Sequence, residues 1–332
     1  IVKGAEVGIM ALALGGFYLQ SIPILLASLF LMGLQSTLFG PIKYAIIPQH
    51  LHEDEVMGGT GLVEAGTFIA ILAGQLLAGV MVPWIAGIIA TGLAVVGFLA
   101  SLSVPSAPAT AQNLKIELNI VASTWRIIKG ARQNRSVWLS ILGIGWFFAV
   151  GAILLSELTP LVSGVLRAQQ EVTTLFLVIF SVSVALGSLT VGKLLAGKVS
   201  ARFVPASAFG LAVFMIDLWL STRGHQGLFA NNGIYGFIAF PGSWRMLIDL
   251  FGIGFAGGMF VVPLYATLQT RSAPEERSRT IAANNIVSAL IVVGITIVSV
   301  LLVNWGMSVQ NIIGVLGLST LVVAFISCWL LP

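Results

Sequence analysis

The stretch Ser36-Thr-Leu-Phe-Gly-Pro-Ile-Lys-Tyr-Ala-Ile-Ile-Pro48 places one cation, Lys43, inside an apolar segment. If that segment lies in lipid, the charge costs at least ~2.5–3.5 kcal/mol on insertion scales, so it is paired, drawn to the interface or functional. The composition decides the solvent. Of 332 residues, 58% are hydrophobic and 8% charged, with a mean hydropathy of +1.03. Soluble domains carry about 25% charged and 45–50% apolar residues. No soluble packing hides this much apolar surface, so the reading is an all-α membrane protein.

The single cysteine, Cys328, excludes an internal disulfide, and zinc-type Cys/His spacing is absent. The pI near 9.5 invites a nucleic-acid reading, but the basic residues lie between hydrophobic segments, where they orient a membrane protein. No nucleic-acid partner is expected. Residue 1 is isoleucine, and the first apolar run has neither a basic leader nor a cleavage site, so the expectation is a fragment.

A spanning helix needs about 20 mostly apolar residues. Ten segments qualify, near 4–20, 22–48, 57–81, 83–103, 136–160, 170–196, 203–222, 244–270, 280–303 and 308–331. Pro23, Pro83, Pro160, Pro205 and Pro332 fall near span ends, where proline is tolerated. With a cytoplasmic N-terminus, that side receives Lys3, Lys115, Arg126, Lys129, Arg132, Arg135, Lys193, Lys198, Arg202, Arg271, Arg277 and Arg279. The other side receives Arg167, Arg223 and Arg245. Twelve against three is a positive-inside bias, so the N-terminal and central loops are expected in the cytoplasm.

The longest of those loops, 104–135, opens with Pro105-Ser-Ala-Pro108. Leu114, Leu118, Val121, Trp125 and Ile128 then recur at helical spacing, with Arg126, Lys129, Arg132 and Arg135 off the stripe. This pattern fits a basic amphipathic helix on the anionic leaflet, or equally a solvated linker helix.

Shifting the chain by 220 or 221 residues reveals a repeat. Leu29, Phe30, Gly33, Phe39, Tyr44 and Ala45 meet Leu250, Phe251, Gly254, Phe260, Tyr265 and Ala266. One residue out of phase, Gln49, Glu55, Thr60 and Gly74 meet Gln269, Glu275, Thr280 and Gly294. Parallel repeats of six-helix halves mark the major facilitator architecture. The expected organisation is an N-terminal half over 1–103 (helices three to six), a linker over 104–135, and a C-terminal half over 136–332 (helices seven to twelve). Ten of twelve helices are then present, without the first two.

Lys43 and Glu64 are the leading candidates for function. They sit about equally far on either side of the 49–56 loop, so they reach similar depth on adjacent antiparallel helices. A shared ion pair would offset part of the desolvation cost. Pro41, preceded by Gly40, removes a backbone donor and predicts a kink beside the lysine. A structural clamp and a lysine that snorkels to the interface remain alternatives. In the second repeat the equivalent positions are Leu264 and Asn284, so the scaffold does not demand the charges in both halves.

Glu157, just before Thr159-Pro160, reads as a cavity carboxylate or a helix-end acid. Asp249 follows Arg245 by four residues, which predicts a local ion pair. Asn284-Asn285 lines a cavity or bonds across helices. Gly254-x-x-x-Gly258 and Ala70-x-x-x-Gly74-x-x-x-Ala78 predict close helix contacts. Gly58-Gly-Thr-Gly61 lacks the context of a phosphate loop, and His50 and His52 read as solvated. No catalytic set, metal site or cofactor motif is visible, which argues for a transporter rather than an enzyme.

The run Phe39-Gly-Pro-Ile-Lys-Tyr-Ala-Ile-Ile-Pro-Gln49, followed by Gly61-Leu-Val-Glu-Ala65, resembles the lysophospholipid transporters of the major facilitator superfamily. It is most similar to the forms associated or fused with a phospholipid acyltransferase and an acyl-carrier-protein synthetase. The resemblance implies flipping of lysophospholipids across the bacterial inner membrane for reacylation, with those enzymes and membrane lipids as partners. It also implies that Lys43 and Glu64 are the family's intramembrane lysine and glutamate. Lys43 would attract the substrate phosphate, with Phe39 and Tyr44 along the acyl-chain path. Gly192-Lys-Leu-Leu-Ala-Gly-Lys-Val-Ser-Ala-Arg202 is a degenerate echo of the superfamily's charged loop. Two other readings stay open: an exporter of a different amphiphile or drug, and the membrane anchor of a fused acyltransferase.

Overall fold

A computed structural model describes residues 2–107, 119–229 and 232–330. Before the linker lie α1 (Val2–Tyr18), α2 (Ile22–Ala45), α3 (Ile47–His50), α4 (Glu53–Val80) and α5 (Pro83–Ser101). The linker carries α6 (Ile120–Gln133). After it come α7 (Arg135–Thr159), α8 (Gln170–Leu194), α9 (Val204–Arg223) and α10 (Ile234–Ala239). The last three are α11 (Pro241–Arg271), α12 (Arg277–Asn304) and α13 (Val309–Leu330).

Among the described residues nine helices are long and apolar enough to cross a membrane. The tenth expected span falls on α1, whose 17 described residues reach about 25 Å at 1.5 Å per residue. Of the stripe expected on the linker helix, Leu114 and Leu118 lie outside the described residues, and α6 carries the remainder. Successive reversals define two ends. The linker end gathers the connections at 51–52, 102–134, 195–203 and 272–276. The far end gathers those at 19–21, 81–82, 167–169, 224–240 and 305–308.

Local chemistry sets most helix starts. Proline stands in the first turn of α2, α5, α9 and α11, where its missing N–H has no helical partner in any case. Asn134 caps α7 by accepting from the Val137 N–H at 3.3 Å. Its amide also donates to the Arg271 carbonyl at 3.2 Å, which ties the linker to the end of α11. Pro160 departs from expectation: α7 does not stop there but continues as a π-helix over Pro160–Leu166. The turn ends at Arg167, whose left-handed φ of 59° breaks the helix.

The interior is built around α11, 78% of whose apolar window is buried, against 11% for α2 and α5. Small residues let its neighbours approach. A Cβ on Gly254 would lie 2.6 Å from the Phe180 carbonyl oxygen, and one on Gly258 2.2 Å from that of Val184. A Cβ on Gly61 of α4 would likewise lie 2.6 Å from the Ser188 carbonyl oxygen of α8. Thus α8 meets both α11 and α4 at near backbone contact, which in lipid supplies the packing that water would otherwise drive. The Ala70–Gly74–Ala78 pattern makes no such contact: Gly74 meets no atom within 4 Å.

These contacts predict opposite outcomes for one substitution at two glycines. Gly258→Ala lowers stability by about 1–3 kcal/mol through overpacking against the α8 backbone. Gly294→Ala, with nothing within 4 Å, leaves it unchanged or raises it by up to ~1 kcal/mol. Unfolding of the purified variants in detergent distinguishes the two.

Candidate functional site

Three side chains on one face of α4 organise the interior. Thr60, Glu64 and Thr67 follow i, i+4, i+7 spacing and stack above one another. Thr60 Oγ1 donates to Gln269 Oε1 of α11 at 3.1 Å. Glu64, 1% exposed, accepts a hydrogen bond from the Tyr44 hydroxyl of α2. Thr67 Oγ1 accepts from Lys43 Nζ at 2.9 Å and donates to the Val63 carbonyl at 2.7 Å.

The lysine and glutamate therefore share a site but not a direct ion pair. Among the described residues no carboxylate comes within 4.0 Å of Lys43. The ammonium instead lies 5.0 Å from the Tyr44 ring centre. Geometry explains this arrangement. Side chains on a helix lean toward its N-terminus, and α2 begins at the far end, so Lys43 points away from the linker end. Its partner Thr67 lies about 21 Å along α4 from Glu53, inside a hydrocarbon core ~30 Å thick. Snorkelling to the nearer surface is not what this side chain does.

The tyrosines close the site. Tyr44 and Tyr265 are repeat equivalents, and their rings stack at 4.4 Å with an interplanar angle of 10°. Tyr265 neighbours Asn284, which is the repeat equivalent of Glu64. Each ring thus pairs with the polar residue at matching positions of its own repeat, Glu64 or Asn284. Phe148 of α7 stands edge-on to Tyr265 at 6.5 Å. Asn284 is 1% exposed and its Oδ1 has no partner; the Gln269 Nε2 is likewise buried and unpartnered. Gly40 and Pro41 lie where α2 meets α12: a Cβ on Gly40 would stand 2.8 Å from Asn285 Nδ2. α2 runs four residues past Pro41 to Ala45, and α3 resumes after Ile46.

Other expected residues lie elsewhere. Phe39 faces Lys3, whose Nζ sits 4.6 Å from its ring centre, rather than Lys43. Lys3 also bonds Glu6 Oε2 at 2.7 Å, and Gln35 Nε2 donates to the same oxygen at 3.0 Å. This makes a second polar cluster between α1 and α2. Glu157 is half-buried near the far end of α7, away from the tyrosines. Arg245 pairs not with Asp249 but with Asp217, to which its Nε donates at 2.9 Å. The cause is the antiparallel contact of α9 and α11, which sets Asp217 beside Arg245, while Asp249 is buried and accepts from Ser221 Oγ at 3.3 Å.

Removing one partner of a buried bond leaves the other unsatisfied, at about 1–3 kcal/mol. Tyr44→Phe, which keeps the ring stack but bares Glu64, lowers stability by that amount. Adding Glu64→Leu to Tyr44→Phe recovers part of the loss, and a double-mutant cycle on thermal unfolding measures the coupling.

The comparisons agree with this architecture. A family model described as Major Facilitator Superfamily matches residues 7–230. Two curated relatives named Lysophospholipid transporter LplT come from Citrobacter koseri and Salmonella newport. Both are 28% identical to this chain and cover 73% of it, with matches of 246 and 257 residues. The chain spans just over half of their length, 57% and 56% respectively. Crystal structures of the E. coli fucose:proton symporter FucP superpose over 99% of the chain. One gives a TM-score of 0.67 at 13% identity over 83% of its own length. The other, described as being in the outward conformation, gives 0.65 at 14% over 81%. This chain belongs to the major facilitator superfamily.

Proposed function

We propose that the protein moves lysophospholipids across the bacterial inner membrane by alternating access, with its linker end in the cytoplasm. The observation that carries this reading is Lys43: an intramembrane cation turned inward, held by a hydroxyl and not neutralised by a directly paired carboxylate among the described residues. Such a group can receive a phosphate through charge-assisted hydrogen bonds. The two relatives named as lysophospholipid transporters supply the substrate class. The unpartnered Asn284 Oδ1 and Gln269 Nε2 offer further bonds to a polar headgroup.

An amphiphile also needs an apolar path. Leu264, the repeat equivalent of Lys43, lines an apolar cavity of about 360 Å³ with Trp146, Phe260 and Ile291. A single acyl chain suits that cavity. The two repeats thus contribute different chemistry, a cation from one and an apolar cavity from the other. Closure rests on contacts between helices before and after the linker, namely the Tyr44–Tyr265 stack, the Thr60–Gln269 bond and the Gly61–Ser188 approach. Parting them would open the site toward the linker end. A phospholipid acyltransferase and an acyl-carrier-protein synthetase are the proposed consumers of the delivered lysolipid. The sidedness rests on the excess of basic residues at the linker end.

Uptake of labelled lysophosphatidylethanolamine by spheroplasts tests the reading at matched expression. Lys43→Ala is expected to slow uptake by about 10–100-fold, the equivalent of ~1.5–3 kcal/mol for a charge-assisted hydrogen bond. Phe39→Leu is expected to leave it unchanged. Equal uptake by wild type and Lys43→Ala excludes the proposed site, and drug export without lysolipid uptake favours the exporter reading.

A further inference from the structure

At the linker end, away from the tyrosine cluster, two concavities of opposite character share one residue. A cleft of about 380 Å³ lies between α6 and the start of α12. It presents Arg126 and Lys129 from one face of α6, with Arg279 and the Thr280 hydroxyl from the first turn of α12. Among the described residues of its lining Glu276 is the one acid, and Lys129 and Arg279 stand against it. The first backbone N–H groups of α12 add partial positive charge at the same place. Lys129 also borders the second concavity, an apolar groove of about 300 Å³ formed with Trp125, Ile128 and Arg132. There the lysine and arginine contribute their aliphatic stems, as such side chains do at a lipid interface. On the same helix Val121 is 80% and Trp125 65% exposed. Exposed apolar groups beside cations are the signature of a helix lying in the interfacial layer.

A soluble anion would use the cleft and leave the groove empty, whereas a neutral lipid would use the groove and leave the cleft empty. We propose that the α6–α12 junction binds an anionic phospholipid of the surrounding membrane. Its phosphate sits among Arg126, Lys129 and Arg279, and its proximal chain lies along Trp125 and Ile128. The site is separate from Lys43 and independent of which substrate is carried. Because Arg279 belongs to the helix that bears Asn284 and Asn285, the lipid joins the linker to a helix of the interior cluster. Basic pockets at membrane-facing helix ends bind lipid headgroups in this way.

The test is native mass spectrometry of the delipidated protein titrated with phosphatidylglycerol or phosphatidylcholine. The triple variant Arg126→Gln, Lys129→Gln, Arg279→Gln is expected to bind phosphatidylglycerol about 10–100-fold more weakly, with phosphatidylcholine unchanged. Glu276→Gln, which removes the opposing acid, is expected to bind phosphatidylglycerol more tightly and guards against a triple variant that fails to fold. Neutralising Arg167 and Arg223 at the far end is expected to have no effect. Equal phosphatidylglycerol binding by wild type, the triple variant and Glu276→Gln overturns the proposal. So does displacement of the lipid by millimolar glycerol phosphate, which would mark a site for a soluble anion.

Discussion

Inside the hydrocarbon core no water takes up a bare donor or acceptor, so every polar group carried there must find its partner in the protein. The interior of this membrane protein follows from that constraint. Thr60, Glu64 and Thr67 form a ladder on α4, and each rung reaches a different residue: Gln269, Tyr44 and Lys43. Two rungs tie α4 to α2 and the third crosses to α11. The charged residues, which cost most to place in lipid, therefore hold α2 to α4, and the Thr60–Gln269 rung joins the parts of the chain before and after the linker. Where the ladder leaves atoms unsatisfied, as at Asn284 Oδ1 and Gln269 Nε2, they lie beside the same joint. A polar headgroup entering there would satisfy what the protein does not.

The amino-acid sequence makes the helices legible because lipid imposes length and hydropathy directly. Expected spans such as 170–196 and 203–222 coincide with α8 and α9 to within two residues. It is less informative where an interaction depends on rotation about a helix axis. Similar depth alone suggests a Lys43–Glu64 ion pair, but each side chain meets a hydroxyl instead, because Tyr44 and Thr67 stand closer. The i, i+4, i+7 spacing of Thr60, Glu64 and Thr67 is a readable signal of that ladder. Arg245 shows the same limit: four-residue spacing favours Asp249, while the antiparallel neighbour α9 supplies Asp217. Pro160 reads as a stop, and a π-helix absorbs it.

The internal repeat carries structural meaning beyond helix count. Tyr44 and Tyr265 align at an offset of 221 residues, and equivalent residues near a pseudo-twofold axis can meet across it. These two stack face to face. The departures from the repeat are as informative as the matches. Lys43 becomes Leu264 and Glu64 becomes Asn284, so one side of the joint carries charge while the other carries an apolar cavity and an amide. A symmetric scaffold with asymmetric chemistry suits a substrate that is itself half charged and half apolar.

In the proposed transport cycle, contacts between α2, α4, α8 and α11 close the linker end and part when lysolipid is carried. Pulsed electron resonance between spin labels at His50→Cys and Arg202→Cys, in a Cys328→Ser background, measures that end directly. Lysophosphatidylethanolamine is expected to broaden the distance distribution and add a longer component, which Lys43→Ala suppresses. An identical distribution with and without lysolipid, in protein that still transports it, would show that these contacts do not gate the linker end.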